Sequence, residues 1–503
     1  MWLLCETLWN SQTPNLLTFA PLIHDSKYEL VIGLEVHAQL STQSKLFCGD
    51  SAAFGAEPNT NISPITLAHP GTLPKMNRKA IEHAVTLGLA LNCNIEQHNY
   101  FARKNYFYPD LPKGYQVSQH TTPICKNGFV KIKVDGVERN ILLNRIHLEE
   151  DAGKSLHDVD EQYTSIDLNR AGVPLLEIVS EPDLHSSEEA FAYLSSLRRL
   201  VRWLGVCDGN MEEGSMRCDA NISVRLKGDT KLGTRVEVKN LNSIRNVKRA
   251  IEYEADRLIT LVENNETILQ QTRSFDADKG TTFSLRSKED ADDYRYFPEP
   301  DLTPFFIQDE MMQKIKAAIP ELPEVLEKRY STELGLSAYD ASVICDDKDQ
   351  VDFFEAMIRS TGNYKAAANW LLGPIKSYLN DKGIDINSFE VPPSKIAELI
   401  SLVENGKLSF SIAATKIFPA LLNDSTKDPL QIATELNLLQ ESDTSSIAEW
   451  VNAVIEKMPD KVKEYQSGKK GLIGLFAGEV KKMSKGKADM QIVNKLLEEK
   501  LKS

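Results

Sequence analysis

The sequence predicts an α+β protein, with a large antiparallel sheet in the first part of the chain, then an all-helical domain and a small helical tail. Residues 28–40 alternate between apolar and other side chains with a period of two, as in a strand with one buried face. Residues 217–226 alternate more strictly. One-sided alternation is typical of antiparallel sheets with a solvated face. Beyond about residue 310 the strand pattern fades.

These patterns divide the chain into four predicted segments: an extension over 1–26, a sheet domain over 27–315, a helical domain over 316–425 and a basic helical tail over 426–503. The first segment has no Lys or Arg before Lys27. A signal peptide has a positively charged start, and a mitochondrial presequence is rich in arginine. We therefore interpret it as a disordered extension or the product of a miscalled start codon.

The composition is that of an ordinary globular chain, with 42% hydrophobic and 26% charged residues. No apolar run approaches the length of a membrane span. The seven cysteines include no CxxC pair, which argues against a disulfide framework and favours a reducing compartment. We expect a cytoplasmic protein without membrane contact.

Polar side chains share one face of each predicted strand. Arg217, Asp219 and Asn221 lie together on the strand over 217–226, and Glu237 and Lys239 on the next one. Such a face is either the floor of a site or an ordinary solvated surface, and the pattern does not decide between them.

Helical periodicity accounts for much of the remaining chain. In the last predicted helix Asp489 can cap the first turn, and Ile492 and Leu496 belong to its apolar stripe. The predicted helices cover Ser187–Leu204, Ser243–Glu263, Tyr364–Leu379, Pro393–Glu404, Ser445–Lys457 and Ala488–Lys500.

Charge is unevenly distributed. The formal net charge of −14 argues against a protein that coats nucleic acid indiscriminately. Residues 461–503, however, hold eleven Lys against five Asp and Glu, an excess of six positive charges. This segment either contacts a polyanion or is a solvated, lysine-rich surface.

Several acids and one histidine are candidates for a metal site. Glu35 and His37 are two residues apart on a predicted strand and so project from the same face. Glu150 lies in an acidic group at 149–151, and Glu177 lies inside an apolar run, where an unpaired carboxylate would be costly. Mainly oxygen ligands suit Mg²⁺ or Mn²⁺ better than zinc. Separate structural salt bridges would explain each acid equally well.

Common nucleotide and hydrolase motifs are missing. Gly153-Lys154-Ser155 resembles the end of a phosphate-binding loop, but Leu148 stands where that motif requires glycine. No HExxH or GxSxG motif occurs. A nucleotide, if bound, requires an atypical site built on a sheet face.

Two segments interleave cations with aromatic residues. Arg103–Asp110 can stack on a base and pair with a phosphate, or form the edge of an aromatic core. Asp292–Pro298 has a similar composition, and there a structural role is favoured.

Taken together, these segments closely resemble the GatB family of aspartyl/glutamyl-tRNA amidotransferases from about residue 28 to residue 503. Many long motifs occur in the right order, which makes chance an improbable explanation. The matching stretches are VIGLEVHAQL (31–40), FGAEPNTN (54–61), RKNYFYPDLPKGYQ (103–116), LEEDAGKS (148–155), DLNRAGVPLLEIVSEPD (167–183), MEEGSMRCDANIS (211–223), EVKNLNS (237–243), DDYRYFPEPDL (292–302) and GLIGLFAGEVKKMSKGKADMQIVNKLL (471–497).

The resemblance implies a sheet domain called the cradle, a helical domain and a tail that touches tRNA. It implies a heterotrimer with two partners, a glutaminase and a small third polypeptide, acting on misacylated tRNA(Gln) or tRNA(Asn) with ATP and Mg²⁺. The metal ligands that the resemblance implies are Glu35, His37, Glu150 and Glu177. The implied catalytic residues are Glu150, Lys104 and Asp219, and the last two line the route of ammonia. The implied cofactor-binding neighbours are Asn169, Arg170, Ser215 and Arg217.

The sequence departs from the family in one place. Some members hold a zinc ion with two cysteine pairs near the start, whereas this chain keeps only Cys48 there. We therefore expect no structural zinc.

The implied reaction is ATP-dependent ligation of carbon to nitrogen: phosphorylation of the side-chain carboxylate, followed by attack of ammonia. On this assignment Glu150→Ala abolishes amidation. Two other functions stay open: a tRNA-holding scaffold without chemistry of its own, and a free-standing ligase for a small acid. The clustered acids argue against the scaffold, and the basic tail argues against the small-molecule ligase.

Overall fold

The structure of the chain is a computed structural model that describes residues 27–157, 159–160, 162–287, 294–440, 444–484 and 487–502. The predicted extension over 1–26 lies outside the described residues, as do Asp292 and Asp293 of the second aromatic segment. The chain forms two compact units, the first ending at Pro320 and the second covering Glu321–Ser503.

The first unit contains the strands. They are β1 (Tyr28–Gln39), β2 (Asn94–Ile95), β3 (His98–Asn99), β4 (Ala102–Asn105), β5 (Tyr115–Ser118), β6 (Cys125–Lys126), β7 (Phe129–Val134), β8 (Val137–Glu150), β9 (Lys154–Leu156), β10 (Ser165–Asp167), β11 (Pro174–Ser180), β12 (Met216–Leu226), β13 (Val236–Leu241), β14 (Gln271–Asp276), β15 (Thr281–Ser287), β16 (Phe297–Pro298) and β17 (Phe305–Phe306).

The main sheet has the strand order β15-β14-β13-β12-β1-β11-β8-β6-β2, with β7 paired to β8. Its described neighbours are antiparallel except β13 and β14, so the sheet is mixed rather than purely antiparallel. The central strand β1 places His37 opposite Glu177 of β11 on one side and Arg217 of β12 on the other. Residues 30, 32, 34, 36 and 38 of β1 form its buried apolar face, and each fully buried Leu, Ile or Val contributes about 1.5–3 kcal/mol of transfer free energy.

Helices pack against this sheet. The helix α1 (Arg78–Ala90) contacts β8, while α2 (Ser187–Trp203) and α3 (Ile244–Glu263) pack against each other and contact β7 and β12, respectively. The side chains of Ser186 and Ser243 accept hydrogen bonds from the first turns of α2 and α3, which fixes where these helices begin. The last helix of the unit is α4 (Asp309–Ala318).

The second unit is built from helices joined by loops and turns. Its helices are α5 (Pro323–Thr332), α6 (Ala338–Ile344), α7 (Lys348–Ile358), α8 (Tyr364–Trp370), α9 (Lys376–Lys382), α10 (Pro393–Glu404), α11 (Phe410–Ile412), α12 (Phe418–Asn423), α13 (Pro429–Glu435), α14 (Thr444–Lys457), α15 (Pro459–Gln466), α16 (Ile473–Met483) and α17 (Met490–Lys502). A π-helical turn, Leu371–Ile375, joins α8 to α9 and contains Pro374, whose ring clashes with the preceding turn in the interior of a regular α-helix.

The last four helices share a hydrophobic core of their own. Ile447 and Val451 of α14 pack with Phe476 of α16 and with Val493 and Leu497 of α17. Asp489 accepts hydrogen bonds at the start of α17, as the sequence predicted.

The α+β class is therefore confirmed. The predicted strands over 28–40 and 217–226 correspond to β1 and β12. The boundaries at 315/316 and 425/426 stay predictions. Within the described ranges, no helix is both long and apolar enough to cross a membrane.

Candidate active site

A polar cavity of about 430 Å³ opens on the face of the sheet that carries the charged side chains. Glu35 and His37 of β1, Glu177 of β11 and Asp219 of β12 line it, together with Lys104 of β4. The structure thus brings together five of the residues singled out in the sequence. Four of them come from the paired strands β1, β11 and β12 of the main sheet, whereas Lys104 comes from β4 of a separate three-stranded sheet.

A metal-binding arrangement lies at this cavity. His37, Glu149 and Glu177 each offer a ligand atom, and these atoms lie within 4.8 Å of one another. His37 Nε2 is 3.4 Å from Glu177 Oε2 and 3.9 Å from Glu149 Oε1. The strand register explains the cluster, because Glu177 is paired with both His37 on β1 and His147 on β8.

A second imidazole adjoins the cluster. His147 Nε2 lies 3.4 Å from Glu149 Oε2 and 3.6 Å from Glu177 Oε2. Its Nδ1 is buried and has no hydrogen-bond partner in the described structure. Because an unsatisfied buried polar atom is costly, this orphaned nitrogen marks a position where the protein alone does not complete the polar network.

The electrostatics keep Glu177 ionised, which is the form in which a carboxylate binds a cation. Burial alone would raise the pKa of Glu177, but His147, His37 and Lys104 outweigh it and hold that pKa well below its usual value. Burial lowers the pKa of His37, yet the hydrogen bond and charge of Glu177 bring it above its usual value. Two buried carboxylates beside imidazole suit Mg²⁺ or Mn²⁺, so the residues present fit the metal that the resemblance implies.

The remaining acids of the cavity are also paired. Burial, reinforced by the charges of Glu177 and Asp219, raises the pKa of Glu35, whose Oε1 accepts a 2.9 Å hydrogen bond from Asn221. Lys239 lies 2.6 Å from Asp219.

Lys104 is the cation of the cavity that lies against aromatic rings. Its Nζ lies 4.9 Å from the ring centre of Tyr294. Burial lowers the pKa of Lys104, but Glu149 and other neighbours more than compensate and raise it. The side chain is therefore a charged ammonium group that faces the acids of the cluster.

The structure places Glu150, which the resemblance implies as a metal ligand, outside this cluster. It lies on the opposite face of β8 from Glu149 and is fully buried. Its carboxylate accepts hydrogen bonds from Lys113 Nζ at 2.7 Å and from the Val117 backbone N–H at 2.8 Å. Burial raises the pKa of Glu150 despite the neighbouring Lys113. The side chain joins β8 to β5 and to the loop before it.

Asn169 and Arg170 hold loops together rather than line the cavity. Asn169 Oδ1 accepts a 2.8 Å hydrogen bond from the Asn61 N–H, and its amide donates to the Glu57 carbonyl at 2.7 Å. Arg170 donates to the carbonyls of Ala152 and Gly153 at 2.9 and 2.7 Å.

Ser215 and Arg217 are similarly occupied. The Ser215 hydroxyl donates to Asp208 at 3.1 Å. Arg217 Nη2 lies 2.9 Å from Asp151 Oδ2, which also accepts a 2.7 Å hydrogen bond from Gln39. Asp151 therefore joins β1 and β12 at the ends that carry His37 and Arg217.

The sequence reasoning missed several residues at the site. They are Glu149, His147 and Arg145 of β8 and the aromatic residues His120, Tyr294 and Tyr296. Two signals existed: the alternation of Arg145, His147 and Glu149, and the similarity of the two cation–aromatic segments.

A mixed sheet that carries an acidic, imidazole-containing cavity is a candidate metal-binding catalytic domain. Residues 30–313 match the GatB/GatE catalytic domain and residues 352–501 match the GatB domain. The chain belongs to the GatB family of aspartyl/glutamyl-tRNA(Asn/Gln) amidotransferases.

Curated relatives of the same amidotransferase family align over almost their whole length. The GatB protein of Chlorobium chlorochromatii is 50% identical over 474 residues, covering 94% of this chain and 99% of the relative. That of Thermodesulfovibrio yellowstonii is 49% identical over 471 residues, covering 94% and 98%. That of Syntrophotalea carbinolica is 48% identical over 476 residues, covering 95% and 99%.

Proposed function

We propose that this chain activates the side-chain carboxylate of a misacylated Glu-tRNA(Gln) or Asp-tRNA(Asn) at the cavity beside His37, Glu149 and Glu177. As a family member, the chain is one subunit of a tRNA-dependent amidotransferase, an ATP-dependent ligase with glutamine as the amide donor. The observation that carries the assignment of the site is the three-residue cluster at the floor of the cavity.

The chemistry explains why ATP is needed. A carboxylate is a poor electrophile, because attack by ammonia would have to expel an oxide ion. In the proposed reaction, a carboxylate oxygen attacks the γ-phosphorus of ATP, ADP leaves, and an acyl phosphate forms. The nitrogen of ammonia then attacks the acyl carbon, phosphate leaves with the bonding electrons, and loss of a proton gives the amide.

Phosphoryl transfer depends mainly on positioning and charge neutralisation. His37, Glu149 and Glu177 would hold Mg²⁺, which supplies positive charge against the phosphates. Lys104 offers an ammonium group that can bind a phosphate oxygen. His147, between the two carboxylates, orients both of them.

The same proposal assigns the partners. Ammonia comes from a glutaminase, a small third polypeptide completes the heterotrimer, and Lys104 and Asp219 lie on the route of ammonia to the acyl phosphate. Asn169, Arg170, Ser215 and Arg217 act by holding loops and strands around the cavity, in place of the direct nucleotide contacts that the resemblance implies.

The first test is ATP hydrolysis by the complete heterotrimer, with ammonium chloride as nitrogen donor. We expect hydrolysis to require Glu-tRNA(Gln) or Asp-tRNA(Asn) and to yield the matching amide. Hydrolysis that is indifferent to misacylated tRNA would contradict the proposal. Amidation that is unchanged in a Glu149→Gln variant of this chain would instead leave the chain as a scaffold.

We further propose that the basic tail binds tRNA phosphates through exposed lysines such as Lys481 and Lys482 of α16. Deleting residues 461–503 is a poor test, because α16 and α17 share their core with α14. In Lys481→Glu/Lys482→Glu we expect KM for tRNA to rise roughly tenfold, with a salt dependence of binding that is weaker by about two phosphate contacts.

The matched control is Lys376→Glu/Lys382→Glu, which reverses the same charges on exposed positions of α9. It should leave the KM for tRNA near that of the unaltered complex. Equal effects of the two double variants would mean that only net charge matters and that the tail has no specific role.

A further inference from the structure

Two cation–aromatic segments that are far apart in the sequence meet at the cavity. Arg103 of β4 is paired with Phe297 of β16. Asn105 donates its backbone N–H to the Tyr294 carbonyl at 2.9 Å and its side-chain amide to the Arg295 carbonyl at 2.8 Å. The fold thus joins both segments along one edge of the site.

Their rings form a continuous surface, the aromatic wall, defined by Tyr106, His120, Tyr294 and Tyr296. Tyr294 lies edge-on to Tyr106 and to Tyr296, with ring centres 6.1 and 6.0 Å apart. His120 and Tyr296 are stacked, with centres 4.1 Å apart and planes 7° from parallel. His120 is exposed, so this stacked pair can extend by one more flat ring.

The backbone between Tyr294 and Tyr296 adopts an unfavourable conformation at Arg295. Arg295 has a φ of 45°, in the left-handed region that residues with a Cβ rarely adopt. Such conformations persist where the surroundings hold them, and they cluster at functional sites. Here the kink lies between Tyr294 and Tyr296, and both rings line the cavity.

We propose that the aromatic wall is a purine-binding subsite of the catalytic cavity. This inference rests on the proposed function, which brings two adenosine groups to the site: that of ATP and the 3′-terminal adenosine that carries the misattached amino acid. Aromatic side chains bind bases by stacking. The floor of the same cavity is acidic, so the rings and Lys104 form the wall best suited to a nucleotide.

Lys104 lies between the aromatic wall and the acids of the proposed metal site. Its Nζ lies 4.9 Å from the ring centre of Tyr294 and 6.0 Å from that of Tyr106. A base stacked on the wall therefore places the attached ribose or phosphate next to an ammonium group that faces the acids of the cluster. His120 and Tyr296 are positioning residues in this scheme, because they hold the nucleoside and not the reacting atoms.

The test uses the complete heterotrimer with His120→Leu and Tyr296→Leu, which remove the flat ring but keep apolar bulk. Tyr296→Phe keeps the ring, and Tyr163→Leu removes an exposed tyrosine that does not line the cavity. His120 is exposed, so its variant should fold even if Tyr296→Leu does not. Dissociation constants are measured for ADP and for tRNA(Gln) with and without its terminal adenosine, alongside KM and kcat for each substrate.

We expect the two leucine variants to weaken binding of one adenosine group roughly 5- to 150-fold, with kcat little changed. A higher Kd for ADP would assign the wall to ATP. Loss of the preference for tRNA with its terminal adenosine would assign it to the tRNA end. In both cases Tyr163→Leu should bind like the unaltered complex, and Tyr296→Phe, which keeps the ring, should retain most of the binding that Tyr296→Leu loses.

The proposal is overturned if both leucine variants bind ADP and intact tRNA normally, or if Tyr296→Phe is as defective as Tyr296→Leu. The binding measurements need no turnover. An unaltered complex that binds ADP on the wall but shows no tRNA-dependent ATP hydrolysis would therefore count against the proposed function and leave the subsite standing.

Discussion

Replacing Glu149 by glutamine is expected to abolish divalent-cation binding at the site, whereas the same change at Glu150 should leave that binding intact. Glu149 supplies one of two carboxylates to the cluster, and an amide oxygen is a weaker, uncharged ligand. Mutation of residues that only hydrogen-bond to metal ligands lowers metal affinity about 10- to 100-fold. Since Glu149 is itself a proposed ligand, we expect its replacement to lower Mn²⁺ affinity by more than about 100-fold. Mn²⁺ binding is measured by electron paramagnetic resonance, with Mg²⁺ as competitor.

The pair of variants is closely matched. Glu149 and Glu150 are adjacent and buried, and each replacement removes one negative charge. They differ in the face of β8 from which they project: the Glu149 carboxylate belongs to the cluster, whereas the Glu150 carboxylate is bound by Lys113 and the Val117 N–H. Equal Mn²⁺ affinities in the two variants, or a loss confined to Glu150→Gln, would refute the cluster as the metal site. Glutamine hydrolysis by the glutaminase partner serves as a control for assembly.

Amidation should fall with cation binding in Glu149→Gln, since the phosphates of ATP would lack their counter-charge. We expect that Glu150→Ala does not remove a metal ligand, because the Glu150 carboxylate lies outside the cluster. Any effect of Glu150 replacement is expected through Lys113 and the Val117 N–H, whose hydrogen bonds end on that carboxylate.

The family resemblance implies Glu150 as a metal ligand, and the local structure of β8 explains why the side chain of its neighbour Glu149 faces the cluster. The buried residues Ile141 and Leu143 occupy odd positions of β8, whereas the buried Ile146 and Leu148 occupy even ones. A register shift lies between them, where β11 pairs with Leu143. Such an irregularity moves every later side chain to the other face. Alternation counted from Ile141 therefore assigns Glu150 to the polar face, which it does not occupy.

Other parts of the fold were predictable because local signals were sufficient. The alternation in β1 and β12 identified both strands and their polar faces, and helical periodicity identified α2 and α3. The parallel pairing of β13 with β14 was not predictable, because strand patterns do not specify the partner or its direction. The division of the predicted helix over 364–379 follows from Pro374.

The residues expected to contact the nucleotide show a second reason why sequence alone does not define the site. Asn169 and Arg170 are polar residues within a long motif, and such residues either bind a ligand or hold a loop. Their partners are backbone groups that are distant in sequence or lie beyond two intervening strands, namely those of Glu57, Asn61, Ala152 and Gly153. Only the folded arrangement shows that these hydrogen bonds are already made within the protein.

Glu254→Ala is expected to destabilise the first unit by about 3–5 kcal/mol, because it removes one partner of a buried ion pair. Glu254 of α3 is fully buried, 2.7 Å from Arg257 Nη2 and 3.0 Å from Arg273 Nε of β14. It also accepts a short hydrogen bond from the Thr282 hydroxyl of β15. The alanine variant leaves two guanidinium groups without this carboxylate in a poorly hydrated place.

The matched control is Glu252→Ala on the same helix, whose side chain is 43% exposed and 3.8 Å from Lys248. Exposed pairs of this kind contribute about 0–1 kcal/mol. Since a chain of two units need not unfold in a single step, hydrogen exchange of the β14 and β15 amides should accompany urea unfolding. Equal midpoints for the two variants would show that the buried network contributes no more than a surface pair.

Faster exchange confined to β14 and β15 would place the loss of stability next to β13, the strand that carries Glu237 and Lys239 into the cavity. Amidation should then decline at temperatures where the rest of the unit is still folded.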